Sequence, residues 1–296
     1  MSGFNQIVVG VDFSPSSLQA VREAARLRAG SAHCGLTAVH ILDRGVVDDL
    51  IRHTGISESR VIDQAGARLE RWVEETLGKE HGASTEAVIG HPFDGLMAAV
   101  ERHKAQLLVL GSRGFNTGRG HPGAVAAKCI RKAPCDVLLV RRSHEGPFRK
   151  VVACVDFSET SGRAIDMAQK VTEAEGATLQ VLHVHVPSLL AGSMIEPFPP
   201  TEVTAMEATR ERVAHKEYRA FLENKLGPDS NAESAFRINA SATDGVIGHL
   251  IDTGADLAVL GTRGRSGLKI LLLGTTAERL VHEAPCSVLT VKAPPV

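Results

Sequence analysis

Aromatic residues are scarce: 296 residues contain one Trp and one Tyr. A single nucleic-acid strand would find few rings to stack on. An excess of either charge is also missing. Lys and Arg number 33 against 34 Asp and Glu, a formal net charge of -1, so no bulk positive field would hold a polyanion by counterion release. Nucleic acid is therefore excluded as the primary partner. No apolar run approaches a membrane span, and the opening residues MSGFNQIVVGVDFS lack a basic stretch followed by an apolar one and a cleavage site. The expectation is a cytoplasmic protein without a membrane partner. The five cysteines, Cys34, Cys129, Cys135, Cys154 and Cys286, are odd in number and form no C-x-x-C pair. That speaks against a disulfide framework and a zinc site, and leaves them as small buried hydrophobes.

What the chain does contain is itself, twice. Ile7 to Ser14 (IVVGVDFS) recurs as Val151 to Ser158 (VVACVDFS), and Leu107 to Gly114 (LLVLGSRG) as Leu257 to Gly264 (LAVLGTRG). Ala133-Pro134-Cys135 followed by an apolar run recurs at Ala284-Pro285-Cys286. Three anchors in one order at near-constant separation mark duplication of a domain of about 145 residues, not a short solenoid unit. The expected domains are 1–143 and 149–296, joined by a polar stretch with Gly and Pro, Arg142 to Arg149.

Within each half, short runs rich in Val, Ile and Leu alternate with segments of helical period, as in βαβ units around a parallel sheet buried on both faces. In the second half the pattern predicts strands near 150–155, 178–186, 233–238, 256–260 and 287–292. Helices are predicted near 159–175, 203–225, 243–253 and 274–283, and strands of the first half near 6–11, 35–42, 84–89, 106–110 and 136–140. Ser14 and Ser158 suit helix N-caps, with Pro15 at the first helical position. The fold class is α/β: two tandem doubly wound, five-stranded parallel-sheet domains, Rossmann-like, with strand order 3-2-1-4-5. The ligand crevice then lies between the first and fourth strands, where the order reverses. The last strand of each half would be an apolar sheet edge, so the halves are expected to cover one another as an internal pseudo-dimer, with a further homodimer open.

In the second half the crevice brings Asp156 opposite the loop Gly261-Thr262-Arg263-Gly264, nine further residues, then Gly274-Thr275 opening a helix. Glycine lets backbone N–H groups approach an anion, and the helix start at Gly274, Thr275 and Thr276 offers donors at a positive dipole end. Arg263 and Arg265 bring charge to the loop, although a solvated surface role fits them equally. This pattern, G-x-x-G, nine residues, G-[ST] after a strand ending LGTRG, resembles the ATP-binding class of the universal stress protein family over nearly the whole chain, in two copies. The V-D-x-S and A-P-C-x-V-L segments resemble it too. The resemblance implies Asp156 at the ribose hydroxyls, backbone around Val184 and Leu260 beside adenine, and Gly261, Gly264, Gly274 and Thr275 at ribose and phosphates. The alternative for Asp156 is a turn-capping carboxylate.

Counted the same way, the first half reads Gly111-Ser112-Arg113-Gly114, nine residues ending at Gly123, then Ala124-Val125 where Gly-[ST] is expected. Ala124 would put a methyl where backbone meets phosphate, Val125 has no hydroxyl and Pro122 lacks an N–H, so triphosphate binding is expected to be weak or absent there. A literal G-x-G-x-x-G at Gly118, Gly120 and Gly123 follows a fourth strand rather than a first, which argues against a dinucleotide site. His183 and His185 alternate on one strand without a third ligand at diagnostic spacing, so a core or crevice-edge role is expected over metal binding. Asp94-Gly95 and Asp244-Gly245 repeat between the halves and read as helix-start architecture. Pro187 to Pro200, read as longer than its counterpart and rich in Pro, suits a lid or a surface loop.

With a binding loop but no nucleophile activated by a base, no paired carboxylates and no water-positioning residue, the reading leans away from an enzyme. It expects a nucleotide-dependent regulatory stress protein carrying ATP, alone or with Mg²⁺, in its second half and acting on a protein partner. The alternatives are a slow Mg²⁺-dependent ATPase or phosphoryl-transfer enzyme, and a scaffold that binds nothing.

Overall fold

The structure is a computed structural model that describes residues 4–30, 33–112, 123–187, 200–227, 230–262 and 274–293. Each repeat starts with a short strand, β1 (Gln6–Gly10) and, in the second repeat, β6 (Lys150–Cys154). The central residues of both are wholly buried, because each strand is paired on both edges and covered on both faces. In the first repeat β1 lies parallel to β2 (Gly35–Asp43) and β4 (Leu107–Gly111), with Ile7 opposite both Leu36 and Leu107. In the second, β6 is parallel to β7 (Thr178–His185) and β9 (Leu257–Gly261), with Val151 opposite Leu179 and Leu257. Adding β3 (Ser84–Gly90), β5 (Asp136–Val140), β8 (Glu233–Ile238) and β10 (Ser287–Val291) gives one ten-stranded sheet, ordered β3-β2-β1-β4-β5-β10-β9-β6-β7-β8.

Each half thus has the expected 3-2-1-4-5 order, reversing beside β1 and β6. All pairs are parallel except the central one. There β5 and β10 run antiparallel, with Val288 opposite Leu139 and Leu289 opposite Leu138. Two strands that would each have been an exposed apolar edge close one another, so the repeats join edge to edge.

Side chains alternate across the strands and two helical layers cover them. One face carries α1 (Pro15–Ala29), α3 (Glu58–Leu77), α6 (Glu159–Glu175) and α7 (Pro200–Lys225); its core runs from Val21 and Leu69 across Leu289 to Ile165 and Tyr218. The other carries α4 (Pro92–Arg102), α5 (Ala124–Lys132), α8 (Ala242–Thr253) and α9 (Thr275–Glu283), with Leu96, Ile130, Leu250 and Leu280 in its core. Both cores cross the seam without a break.

Local sequence sets the helix ends. Ser14 and Ser158 are the N-caps of α1 and α6, accepting from the Ser17 and Ser161 amides, and Pro15 opens α1. The first repeat departs from the expected pattern by forming two helices between β2 and β3. Asp43 accepts from the amides of Gly45 and Val46 to start α2 (Arg44–Thr54), left-handed Gly55 (φ 67°) ends it, and Ser57 caps α3. Counted along the sequence, 44–57 and 186–199 have the same length, which corrects the reading of Pro187 to Pro200 as the longer segment. Residues 188–199, on which the lid reading falls, lie outside the described residues.

The seam is also fastened reciprocally. Arg141, one residue past β5, donates from Nη2 to the Ala284 carbonyl (2.6 Å) and from Nε to that of Cys286 (3.1 Å), capping the C-terminal end of α9. Lys292, one residue past β10, reaches the Ile130 and Arg131 carbonyls at the end of α5. Each repeat therefore supplies the cation for the last turn of the other's helix, where the dipole is negative. The cysteines are free thiols and four of the five are buried; burial pushes Cys129 and Cys135 up to about 12, which holds them protonated.

Candidate functional site

The crevice at the C-terminal ends of β6 and β9 is built from two tight turns. Following β6, the Asp156 carboxylate folds back on the start of α6. Its Oδ1 accepts from the Ser158 amide (3.1 Å), the Ser158 hydroxyl (2.6 Å) and the Ser161 hydroxyl, while its own amide donates to Ser161 Oγ (3.0 Å). Asp156 is half-buried. The capping role weighed for it is thus present, and the carboxylate orders this turn whatever ligand it meets. In the first repeat Asp12 Oδ1 likewise accepts from the Ser14 amide (3.0 Å), and Asp12 is exposed.

Between Asp156 and Ser158, Phe157 adopts left-handed backbone at φ 67°, as does Phe13 at φ 60°. A bulky residue there costs about 1–2 kcal/mol, so the surroundings must hold it. The Phe157 ring stacks on His183 (centroids 4.2 Å apart), whose Nδ1 lies 2.9 Å from the Val155 carbonyl. Phe13 and His40 repeat the arrangement, with the rings 4.6 Å apart and Nδ1 2.7 Å from the Val11 carbonyl. Sequence reasoning missed this use of the strand-two histidine; the signal was its pairing with D-F-S in both repeats. His185 faces the same side and meets Glu207 of α7 at 3.4 Å. Phe157, His183 and His185, with Thr209, Arg210, Val213, Ala214 and Glu217 of α7, line a cleft of about 340 Å³.

Across the crevice, β9 ends at Gly261. A Cβ there would lie 2.9 Å from Thr160 Cβ and Cγ2 in the first turn of α6, and at Gly111 one would lie 2.6 Å from the Ser16 carbonyl carbon and 2.7 Å from the Ser17 amide. The first glycine of the motif is therefore required for strand-to-helix packing. Thr262 then pins the loop to β10, its amide donating to the Val291 carbonyl (2.9 Å). Arg263, Gly264 and Arg265 lie outside the described residues. The loop returns at Gly274, the N-cap of α9 (φ -59°, ψ 145°), whose amide donates to the Thr262 carbonyl (3.2 Å). Among the described residues no side chain caps α9, and a Cβ at Gly274 would meet none of their atoms within 4 Å. The first turn, with the Thr275 and Thr276 backbone, thus starts clear of the other described residues, whereas the Gly274 amide is already used within the loop. Leu260 is buried in the apolar core, and Val184 packs on α8, where a Gly245 Cβ would fall 2.6 Å from Val184 Cγ1. Both side chains are therefore committed to packing. Asp244 and Gly245, like Asp94 and Gly95, sit in the first turn of their helix, as expected.

The first repeat corrects the loop count. Gly123 is the N-cap of α5 (φ -59°, ψ 146°), and its amide donates to the Ser112 carbonyl at 3.2 Å. Gly123 therefore stands where Gly274 does, and the loop before it is one residue shorter, 115–122 against 265–273. Ala124 occupies the place of Thr275 and Val125 that of Thr276, so no methyl intrudes at the glycine position; the departure is the shorter loop and two missing hydroxyls. Counting back from the A-P-C segments gives this register, since Gly123 and Gly274 precede Ala133 and Ala284 equally.

Two doubly wound α/β repeats on one sheet, each with a glycine-ended loop at its switch point, define the class of protein. A family model described as the universal stress protein family matches residues 3–141 and again 147–292. The chain belongs to the universal stress protein family. A universal stress protein of Mycolicibacterium smegmatis is 26% identical over 302 residues, covering 97% of this chain and 96% of its own. One from Thermus aquaticus is 30% identical over 145 residues, which is 49% of this chain and 99% of that relative, so a single repeat matches a whole relative. The crystal structure of a universal stress protein from Archaeoglobus fulgidus superposes with a TM-score of 0.62 at 17% identity, covering 97% of this chain and 98% of that one, a likeness of fold. Among the described residues no helix is long and apolar enough to cross a membrane.

Proposed function

We propose that the second repeat binds ATP or a closely related adenine nucleotide, and that occupancy changes the surface offered to a protein partner, making the chain a nucleotide-dependent regulator. The observation that carries this reading is the start of α9 at Gly274, which among the described residues has no side-chain cap and no atom within 4 Å of an added Cβ, across the crevice from the Asp156 turn. Helix N-termini with close backbone approach are built for anions. In this reading the Asp156 carboxylate accepts from the ribose hydroxyls, backbone at Val184 and Leu260 meets adenine, and Gly261, Gly264, Gly274, Thr275 and Thr276 surround ribose and phosphates. Arg263 and Arg265 supply counter-charge. The first repeat, with Ala124 and Val125 in place of two threonines, has the weaker site.

The test is mass spectrometry of small molecules released from freshly purified protein, with calorimetric titration of ATP, with and without Mg²⁺, into wild type, Gly274→Val and the double variant Thr275→Ala, Thr276→Val. Wild type should release or bind an adenine nucleotide, Gly274→Val should not, and the double variant should bind at least tenfold more weakly. No released nucleotide and no heat at millimolar ATP in wild type would refute the reading. Steady phosphate release would move the assignment to the slow ATPase.

A further inference from the structure

The linker between the repeats is polar in sequence and mostly exposed, but two of its residues anchor it. His144 and Phe148 are buried between α1 of the first repeat and α6 of the second. Beneath them is a cluster of ionisable groups that the proposed nucleotide site does not use. Glu23 of α1 has no exposed surface; its Oε2 lies 2.9 Å from His144 Nε2 and also accepts from Arg26. Arg26 Nη2 is 3.3 Å from the same His144 nitrogen. The His144 ring stacks on Phe148 (centroids 4.3 Å apart), and the Phe148 amide donates to Glu175 Oε2, 2.5 Å away, at the last residue of α6. Glu23 Oε1 and Arg26 Nε are buried without a hydrogen-bond partner among the described residues.

Two carboxylates, Glu23 buried and Glu175 half-buried, therefore share the junction with one arginine and one histidine, a poor arrangement for two full negative charges. A neutral Glu175 carboxyl still accepts the Phe148 N–H through its carbonyl oxygen, so adding a proton removes a charge without breaking that bond. Losing the proton places a second anion beside Glu23. We propose that this junction is a proton-linked clasp, in which protonated Glu175 closes α6 onto the linker and α1, and deprotonation loosens the linker from both.

The groups facing Glu175 are Glu23 and Arg26 of α1 and His144 and the Phe148 amide of the linker. Burial, then the Glu23 charge, push the Glu175 carboxyl up to about 7, against the opposing pull of the Phe148 amide, Arg26 and His144. The closed form thus holds the proton more tightly than the open one. Its contribution is complete below the ordinary glutamate range, near 4.5, and is lost as pH rises through about 7. The clasp grips in mild acid and slackens in mild alkali. It sits at the opposite end of α6 from the Asp156 turn, about 25 Å along a helix of 17 residues, and does not depend on a bound nucleotide.

Amide hydrogen exchange on the full chain between pH 6 and pH 8, corrected for the intrinsic pH dependence of exchange, reads the clasp directly. Opening at residues 144–148 and in the last turn of α6 should increase about tenfold over that range, the linkage expected of one proton held at about 7. Glu175→Gln, which keeps a neutral acceptor, should abolish the increase. Glu23→Gln, which removes the facing anion, should shift it below pH 6. A wild-type junction whose corrected exchange is the same at pH 6 and pH 8, or a Glu175→Gln protein that keeps the full increase, would overturn the proposal.

Discussion

One added methyl at each of two glycines in the same loop motif should have opposite consequences, because the two glycines do different work. At Gly261 a Cβ falls 2.9 Å from both Thr160 Cβ and Cγ2 and 3.2 Å from the Thr160 carbonyl carbon, in a helix turn that the Asp156 bonds hold in place. Thr160 is buried and cannot swing away. Overpacking of this kind costs about 2 kcal/mol, or about 4–8 °C of Tm at about 2–4 °C per kcal/mol. At Gly274 the new methyl meets none of the described residues within 4 Å, and φ -59°, ψ 145° suits alanine. The smaller unfolded-state entropy of alanine contributes about 0.4–1 kcal/mol, offset by a similar loss of N-cap preference. Gly274→Ala should therefore keep stability within about 1 kcal/mol of wild type while weakening nucleotide binding. Denaturant titration of each variant with and without 1 mM ATP, roughly a working excess over a micromolar site, separates the effects. Gly261→Ala should be the less stable protein under both conditions, and Gly274→Ala the one that loses the ATP-dependent gain. Equal destabilisation by both, or a silent Gly261→Ala, would refute the assignment of one glycine to packing and the other to a position clear of the described residues.

Three further outcomes follow from the same coordinates. Phe157→Ala and Phe157→Gly both lose the ring stacked on His183, but only glycine relieves the left-handed backbone at φ 67°; in denaturant the glycine variant should be more stable than the alanine one by about 1 kcal/mol. His249 accepts from Arg237 at Nδ1 (3.1 Å) and its Nε2 meets Gln180 Oε1, a neutral tautomer, and burial followed by the Arg237 charge pulls its pKa below 6.5. That contribution is present above 6.5 and lost as pH falls through the lowered value, so His249→Gln should flatten part of the acid limb of the stability profile measured from pH 7 to pH 4. Arg141→Met should cost about 1–2 kcal/mol and raise amide exchange in the last turn of α9, in the second repeat, whereas Lys292→Met should do so in α5; swapped or absent effects would contradict reciprocal capping.

Strand positions, the duplication and the 3-2-1-4-5 order were legible in the sequence because they rest on local periodicity and on the geometry of parallel crossovers. Ser14, Ser158 and Pro15 announced the helix starts for the same reason. Asp43 and Gly55 carried equally local signals for the ends of α2, and Ser57 for the start of α3. The loop register in the first repeat needed a structural anchor, since counting from Gly114 and counting from Ala133 give different partners for Gly274.

By itself, then, the sequence determined a twice-written doubly wound α/β fold whose strand order reverses beside β1 and β6. Periodicity, caps and glycine spacing act over a few residues and are written in order along the chain. Only the tertiary structure decided that Gly261 serves Thr160, that Arg141 and Lys292 exchange helix ends, and that a linker reading as polar is anchored by the buried His144 and Phe148. Glu23 and His144 stand 121 residues apart, and a contact at that separation depends on how the two repeats join across the sheet, which no local pattern encodes.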